Sequence, residues 1–184
     1  MIEIRALDIL ALADIGRVAA GYISNSKYSV VHTDCETQTS IELRLTALAR
    51  PYIKKYMLDS ETVERYNAFL RDGFSFGAYD GELLVAILIS EVHSWNQSLW
   101  VHEFHVAESH RNMGIGRRLM ECVSEKAVDA GLRIIVCETQ NTNVPAIEIY
   151  RRLGFGIEGI DISYYSNDDW PGGEIAVFMK RRLL

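Results

Sequence analysis

Eight stretches of the chain have an apolar pattern that predicts β-strands. They are residues 2–6, 41–47, 74–79, 82–93, 99–106, 134–137, 157–164 and 174–180. The alternation is clearest in residues 41–47, which predict a half-buried strand with one apolar face made of Ile41, Leu43, Leu45 and Ala47. Residues 134–137 form a short continuous apolar run, which is typical of a central strand covered on both faces. The polar segment 22–39 has no pattern that assigns it.

Four stretches carry apolar residues at helical spacing and end at a glycine. They are residues 8–21 with Asp8 as the N-cap, residues 60–73 with Ser60 as the N-cap, residues 115–131, and residues 145–154. The predicted buried faces are Leu12, Ile15 and Ala19 (or Val18) in the first helix, Val63, Tyr66 and Leu70 in the second, and Ile115, Leu119, Val123 and Ala127 in the third.

The order of these elements predicts a mixed α/β (α+β) fold. Residues 74–79 and 82–93 flank an Asp80-Gly81 turn and form a hairpin. The strand 99–106, the helix after it and the strand 134–137 form one βαβ unit within an otherwise antiparallel sheet. Because proline is scarce and no linker or repeat interrupts the chain, we expect residues 1–184 to form a single domain.

Composition excludes several classes of protein. The apolar fraction of 48% and the charged fraction of 24% are those of a soluble globular protein. The chain has no uncharged apolar stretch long enough to span a bilayer, and its three cysteines are scattered. The early acidic residue Glu3 and the lack of a basic leader mean that a secretory signal is not expected. We therefore expect a cytoplasmic protein with reduced thiols. A net charge of −6 argues against nucleic-acid binding and is compatible with a cationic substrate.

A glycine-rich turn follows the predicted strand 99–106 and reads Arg111-x-x-Gly114-x-Gly116. Two glycines where a strand leads into a helix let backbone N–H groups approach a phosphate, which the helix dipole favours. Arg111, Arg117 and Arg118 add cationic donors. A plain turn with solvated arginines is the alternative. A dinucleotide fingerprint is excluded because its third glycine is replaced by Leu119, and a Walker loop is excluded because no Gly-Lys-Ser/Thr follows.

The turn resembles the acyl-CoA pyrophosphate loop of the GNAT superfamily of N-acetyltransferases. Downstream, Asn143-x-x-Ala146-x-x-x-Tyr150-x-x-x-Gly154-Phe155 is similar to the second signature of that family. The resemblance implies a mostly antiparallel central sheet flanked by helices, with one strand–CoA loop–helix–strand unit. It also implies acetyl-CoA as the acetyl donor. The implied donor-binding residues are Phe104, Val106, Arg111, Asn112, Met113, Gly114, Ile115, Gly116, Arg117, Asn143, Ala146 and Tyr150.

Acetyl transfer to an amine requires a base for the ammonium group, whose pKa is near 10.4, polarisation of the thioester carbonyl, and an acid for the departing thiolate. The resemblance implies that Tyr150 is the acid and that the backbone N–H near Val106 polarises the carbonyl. Alternatively, Tyr150 is a core aromatic residue. The family often takes its base from the strand that contains Glu103, with His105 on the same face as the alternative base. Glu103 can also be the partner of a neighbouring arginine.

A metal site is not expected. His102 and His105 are three residues apart on a predicted strand, so their side chains are expected on opposite faces.

The loop between the last two predicted strands contains acidic and aromatic residues that suit a cationic amine. We expect Asp161, Tyr164, Asp168, Asp169 and Trp170 to bind the acceptor, with a solvated hairpin loop as the alternative.

Residues 42–56, ELRLTALARPYIKKY, resemble the streptothricin acetyltransferase branch, as do Glu138-Thr139-Gln140 and residues 174–178. This resemblance implies acetylation of an amine on a small cationic molecule such as a streptothricin-type antibiotic. Protein or peptide N-acetylation and a non-catalytic acetyl-CoA sensor are the alternatives, and a homodimer is compatible with the sequence.

Overall fold

The computed structural model describes residues 1–183, and over this range it contains nine strands and four α-helices. The strands are β1 (Ile2–Ala6), β2 (Tyr22–Cys35), β3 (Gln38–Lys54), β4 (Phe76–Asp80), β5 (Leu83–His93), β6 (Ser98–Val106), β7 (Ile134–Gln140), β8 (Gly156–Asp161) and β9 (Ala176–Arg182). The α-helices are α1 (Leu12–Val18), α2 (Ser60–Phe69), α3 (Ile115–Asp129) and α4 (Val144–Arg152). Within the described range, every helix is too short or too polar to cross a membrane.

The first of two structural units comprises residues 1–21, 55–137 and the C-terminal residues from 181 onwards. Its strands follow the order β1-β4-β5-β6-β7, with antiparallel neighbours except for the parallel pair β6–β7. Helix α3 connects those two parallel strands, so the predicted βαβ unit is confirmed. The predicted inward faces of α2 and α3 are buried. Apolar residues at helical spacing therefore identified the sides of these helices that pack against the sheet.

A β-bulge interrupts the pairing of β5 with β6. Ile89 is opposite Glu103, whereas Ser90 is opposite Val101, so that His102 is the extra residue. A bulge changes the direction of the side chains around it, because the period of two is broken at the inserted residue. The inserted residue, His102, directly precedes Glu103, so the bulge affects the candidate active site.

The second unit comprises residues 22–54 and 138–180. Strands β2 and β3 form a long two-stranded ribbon, and the end of β7 is followed in strand order by β9 and β8. The Asn141 side chain connects these parts: its amide donates to the Tyr28 carbonyl at 2.8 Å, and its Oδ1 accepts from the Ile175 N–H at 2.9 Å. On α4, Arg151 lies over the ring of Tyr28.

The structure corrects several boundaries. The unassigned segment 22–39 contains β2, and β3 extends the predicted strand 41–47 in both directions. Helix α1 begins after Ala11 rather than at Asp8, and Leu12 is 46% exposed. The side chain that caps α2 belongs to Asp59, which accepts from the Thr62 N–H at 2.7 Å, and not to Ser60. The error at α2 arises because Asp59 and Ser60 are adjacent and either residue type can cap a helix.

The predicted burial of residues 41–47 is also wrong. Ile41 is 38% exposed and Leu45 is 55% exposed, and Ala47 is exposed as well. These residues lie on β3, which pairs with β2 in a sheet of two strands over the described residues. Alternation correctly predicted the strand and the side on which its apolar residues lie, but it did not show whether anything covers that side.

Candidate active site

Glu103 on β6 is a buried carboxylate with three hydrogen-bond partners, and it is only 7% exposed. Its Oε1 accepts a hydrogen bond from the Tyr66 hydroxyl at 2.6 Å and another from the Tyr56 hydroxyl. Its Oε2 lies 2.6 Å from Nε2 of His105. Strand β6 therefore provides the carboxylate and the imidazole, while α2 and the segment before it provide the two phenols. Three hydrogen bonds hold the Glu103 carboxylate in one position.

The hydrogen bonds also determine where the protons lie. An ionised carboxylate only accepts, so His105 donates from Nε2, and a neutral His105 then carries its lone pair on Nδ1. Burial, together with the negative charge of Glu103, raises the pKa of Tyr56 and of Tyr66. Both phenols therefore remain protonated donors at neutral pH. The side chain of His105 is 22% exposed, so it is more accessible than Glu103 to a reacting amine.

His102, the bulge residue, belongs to a neighbouring cluster. Its ring stacks on Phe69 at 5.0 Å and lies 6.0 Å from the ring of Tyr66, which also contacts Glu103. The Nε2 atom of His102 lies 2.9 Å from Glu91. His102 and Glu103 are consecutive residues of β6, and both contact Tyr66. The bulge at His102 therefore breaks the strict alternation of faces that the sequence predicted between His102 and His105. Among residues 1–183, no three His, Cys, Asp or Glu side chains form a group that could hold a metal ion.

The glycine-rich turn leads from β6 into α3. Gly114 is the N-cap residue of α3 and has a left-handed backbone with φ of +75°, while Asn112 has φ of +62°. A Cβ atom at Gly114 would meet nothing within 4 Å. Because the N-cap residue is a glycine, it makes no side-chain hydrogen bond to the first turn of α3. The open space beside Gly114 and the helix N-terminus fit a phosphate group.

Gly116 has a different reason to be glycine. A Cβ atom there would lie 3.1 Å from Cζ of Phe104, so this residue lets α3 pack closely on β6. The neighbouring Ile115 is buried in the core. Met113 and Arg117 are exposed.

The arginines around the turn differ in their contacts. Nε of Arg111 donates to the Val106 carbonyl at 3.3 Å, whereas Arg118 donates to the carbonyl of Ile2 at 3.2 Å. The Arg118 side chain is therefore hydrogen-bonded to β1. A cleft of about 520 Å³ begins at Ala107, directly before the turn, and it is also lined by Arg17, Leu83, Leu84, Val85, Glu108, Ser109 and His110.

The second predicted motif lies in the second unit. Asn143 is the N-cap of α4, and its Oδ1 accepts a hydrogen bond from the Ala146 N–H at 3.2 Å. One turn further along α4, Tyr150 is 8% exposed, and its ring centre lies 5.5 Å from that of Phe155. The spacing of Asn143 and Ala146 thus has a local cause, because it begins the helix that carries Tyr150.

The loop predicted to bind the acceptor contains two kinds of acidic residue. Asp169 is buried, and its carboxylate accepts from the Tyr165 N–H at 2.7 Å and from the Ser166 hydroxyl at 2.6 Å. Asp161 similarly accepts from the Ser163 N–H at 3.0 Å. These two carboxylates organise the loop itself. Asp168, by contrast, is exposed.

The aromatic residues of this loop are available at the surface. Tyr164 is 49% exposed and Trp170 is 38% exposed. The Trp170 ring meets His32 edge to face at 5.5 Å. The predicted acceptor residues therefore divide into two carboxylates that organise the loop, Asp161 and Asp169, and three exposed side chains, Tyr164, Asp168 and Trp170.

Several polar contacts of the sites were absent from the sequence prediction. The Tyr165 hydroxyl donates to Glu138 and accepts from the Gln140 amide at 3.1 Å. Glu174 accepts from Thr142 at 2.8 Å and from Tyr22 at 3.1 Å, and it pairs with Lys54. The hydrogen bonds of Tyr56 and Tyr66 to Glu103 were also not predicted, because these residues are 47 and 37 positions away from Glu103 in the sequence. Contacts between residues so far apart in sequence produce no local pattern. The one local signal is that Glu138 and Gln140 alternate at the end of β7 and therefore share a face.

Comparison with known proteins identifies relatives of this chain. The model of the acetyltransferase (GNAT) family matches residues 42–155. A streptothricin acetyltransferase from Streptomyces lavendulae is 38% identical over 100 residues, which are 54% of this chain and 52% of that relative. This match therefore spans about half the length of that relative. A streptothricin acetyltransferase from Escherichia coli is 31% identical over 134 residues, 72% of each chain. The crystal structure of a nourseothricin acetyltransferase has a TM-score of 0.75 and 26% identity, covering 100% of this chain and 99% of that one.

Proposed function

Because this chain belongs to the acetyltransferase (GNAT) family, we propose that it transfers the acetyl group of acetyl-CoA to a primary amine of a small cationic molecule of the streptothricin type. The relatives named streptothricin acetyltransferase support the class of acceptor. The observation that carries the proposal is the buried Glu103 carboxylate, which holds His105 through Nε2 and directs the lone pair of the imidazole to Nδ1.

In this reaction the amine nitrogen forms a bond to the thioester carbonyl carbon, and the carbon–sulfur bond breaks. The proton that leaves the amine goes to Nδ1 of His105, while Glu103 stabilises the resulting imidazolium ion from the opposite side of the ring. Glu103 is then the positioning residue rather than the base itself. Its burial and its three donors support this assignment, since the more exposed member of the pair is His105.

Acetyl-CoA supplies the activated acetyl group. Residues 111–117 would hold its phosphates, with Gly114 providing the space and Arg111 and Arg117 the positive charge. Phe104 and Val106 on β6 would line the donor site, and Asn143 would contribute by positioning α4. Tyr150 on α4 would give a proton to the departing sulfur. Its place in the second motif supports that role.

Charge supports a cationic acceptor. The chain has a net charge of −6, and the acceptor loop has one exposed carboxylate, Asp168, and two exposed aromatic rings, Tyr164 and Trp170. An ammonium group is attracted by both kinds of side chain. Asp161 and Asp169 would act indirectly by shaping the loop.

The test is thiol release from acetyl-CoA by the purified protein with streptothricin, a neutral amine, spermidine and an N-terminal peptide as separate acceptors. We expect release with streptothricin and a product that carries one additional acetyl group by mass spectrometry. His105→Gln is the matched control for enzyme-dependent release. Release with the peptide alone would assign peptide N-acetylation instead, and acetyl-CoA binding without release to any amine would indicate a sensor.

A further inference from the structure

The apolar face of β3 is exposed in the isolated chain although its sequence has the pattern of a buried strand. Ile41 and Leu45 are 38% and 55% exposed, and Leu43 between them is partly exposed. All three side chains lie on one face of the strand, because residues two apart share a face. Three neighbouring apolar side chains on a strand form a patch that favours contact with another apolar surface.

The backbone of the same strand is also available. Over the described residues, β2 and β3 form a sheet of two strands, so each has one edge outside the ribbon. Strand β2 contacts α4 through Tyr28, whose ring lies beneath Arg151. Two strands alone make a marginally stable sheet, and an edge strand is a template for pairing with another strand.

The sequence of β3 is complementary to itself in antiparallel orientation. Pairing about a two-fold axis at Leu43 places Glu42 opposite Arg44 of a second copy, and Arg44 opposite Glu42 of that copy. The same register places Ile41 opposite Leu45 and Leu43 opposite its own copy. Between residues 38 and 48, Glu42 and Arg44 are the only charged residues, so this register pairs every charge with an opposite one.

We propose that the chain forms a homodimer in which β3 pairs antiparallel with β3 of a second copy about a two-fold axis at Leu43, giving a four-stranded sheet. An isologous contact of this kind closes after two copies. Charge also selects the register. In an antiparallel pair the two-fold axis lies at a residue position and not between two residues. An axis at residue 42 would place Glu42 opposite its own copy, and an axis at residue 44 would place Arg44 opposite its own copy.

Sedimentation velocity over a range of protein concentrations tests the proposal. Arg44→Glu creates two Glu–Glu contacts in the dimer, and we expect it to raise the dimer dissociation constant at least about tenfold. Glu42→Arg should do the same. The double variant Glu42→Arg/Arg44→Glu restores opposite charges across the axis, and we expect it to dimerise like the unmodified protein. Thr33→Glu, an exposed position on β2, is the matched control and should leave the dissociation constant unchanged.

A monomer at all concentrations would overturn the proposal, as would a dimer that the Arg44 and Glu42 variants leave intact. A dimer sensitive to Thr33→Glu instead would place the interface on β2. Thiol release is measured in parallel on each variant, so loss of the dimer is distinguished from loss of catalysis.

Cross-linking gives an independent measurement of the register. In a Cys35→Ser background, which removes the exposed native thiol, Leu43→Cys should form a disulfide-linked dimer under mild oxidation because residue 43 faces its own copy. Ile41→Cys is the control. Its copies would lie four residues apart along the paired strands, about 13 Å, which is too far for a disulfide. Cross-linking of Ile41→Cys but not Leu43→Cys would contradict the register.

Discussion

Oε2 of Glu103 lies 2.6 Å from Nε2 of His105, two residues further along β6. The two side chains meet because residues two apart on a strand share a face, and the bulge at His102 lies just before this pair. Tyr56 and Tyr66 hold the other carboxylate oxygen. A buried anion fixed on one side by phenols therefore sets the tautomer of an imidazole on its other side.

The first prediction tests this pair. Glu103→Gln presents an amide in place of the carboxylate, and an amide NH₂ facing Nε2 would favour the tautomer with the proton on Nδ1. We expect kcat to fall about 10²- to 10⁴-fold with little change in the affinity for acetyl-CoA. His105→Gln should be equally severe, and the double variant no worse than either single one, because residues that act as a unit are not additive. Steady-state kinetics and calorimetry provide the two measurements.

A different outcome would reassign the base. If Glu103→Gln abolished turnover while His105→Gln retained nearly all of it, Glu103 itself would accept the proton.

The second prediction compares two glycines at the two ends of α3. Gly114 and Gly131 have φ of +75° and +72°, and a Cβ atom would meet nothing within 4 Å at either position. Replacing either by alanine should therefore lower the free energy of unfolding by a similar amount, about 1 kcal/mol. Only Gly114→Ala places a methyl group where a phosphate would approach the turn. We expect about tenfold weaker acetyl-CoA binding by calorimetry for Gly114→Ala.

Gly131→Ala is the matched control and should bind acetyl-CoA normally. Equal affinities of the two variants would remove the turn from the donor site.

Local patterns predicted much of the fold. β1 was predicted at its observed bounds, and the start of α3 at Ile115 and the buried faces of α2 and α3 are confirmed. In these elements the signal repeats within a few residues, and the helices bury the side that the spacing indicates. The mixed fold and the family followed from the order of elements and from two motifs that each lie within a short segment.

Features that depend on distant contacts were not predictable. Segment 22–39 looked irregular because polar residues predominate in β2 and only a few of its side chains, such as Tyr28, are buried. The bulge at His102 arises from the pairing of two strands, which alternation in one strand does not show. For the same reason Tyr66 was identified as a core residue but not as a donor to Glu103. Glu103 and His105 could be paired from sequence because they are two residues apart on one strand.

The third prediction concerns Tyr150. Tyr150→Phe keeps the ring beside Phe155 and removes only the hydroxyl, so packing should be preserved. If the phenol protonates the departing thiolate, kcat should fall about 10²- to 10⁴-fold, with acetyl-CoA affinity unchanged. Tyr28→Phe is the matched control, since Tyr28 is another buried tyrosine of the second unit, and it should retain full kcat. A fully active Tyr150→Phe variant would leave Tyr150 as a core residue.

The last prediction separates two adjacent aspartates of the acceptor loop. Asp168 is exposed, so Asp168→Asn should remove only charge. An exposed pair with a cationic acceptor contributes about 0.2–1 kcal/mol, and we expect the acceptor KM to rise up to about fivefold and to depend less on salt. The KM for acetyl-CoA should not change. Steady-state kinetics with streptothricin at low and moderate salt is the measurement, and an unchanged KM and salt dependence would remove Asp168 from the acceptor site.

Asp169→Asn should act on stability instead. Burial disfavours the charged form of Asp169, but hydrogen bonds from Ser166 and from the Tyr165 N–H outweigh it and lower the pKa of this carboxyl. The stabilisation that it provides is therefore complete above the ordinary pKa of an aspartate and is lost as the pH falls through the lowered value. We expect Asp169→Asn to melt at a lower temperature than the unmodified protein at neutral pH, with the difference shrinking in acid. A difference that stayed constant with pH would show that the carboxylate charge does not hold the loop, because only an ionisable group makes the stability depend on pH in this way.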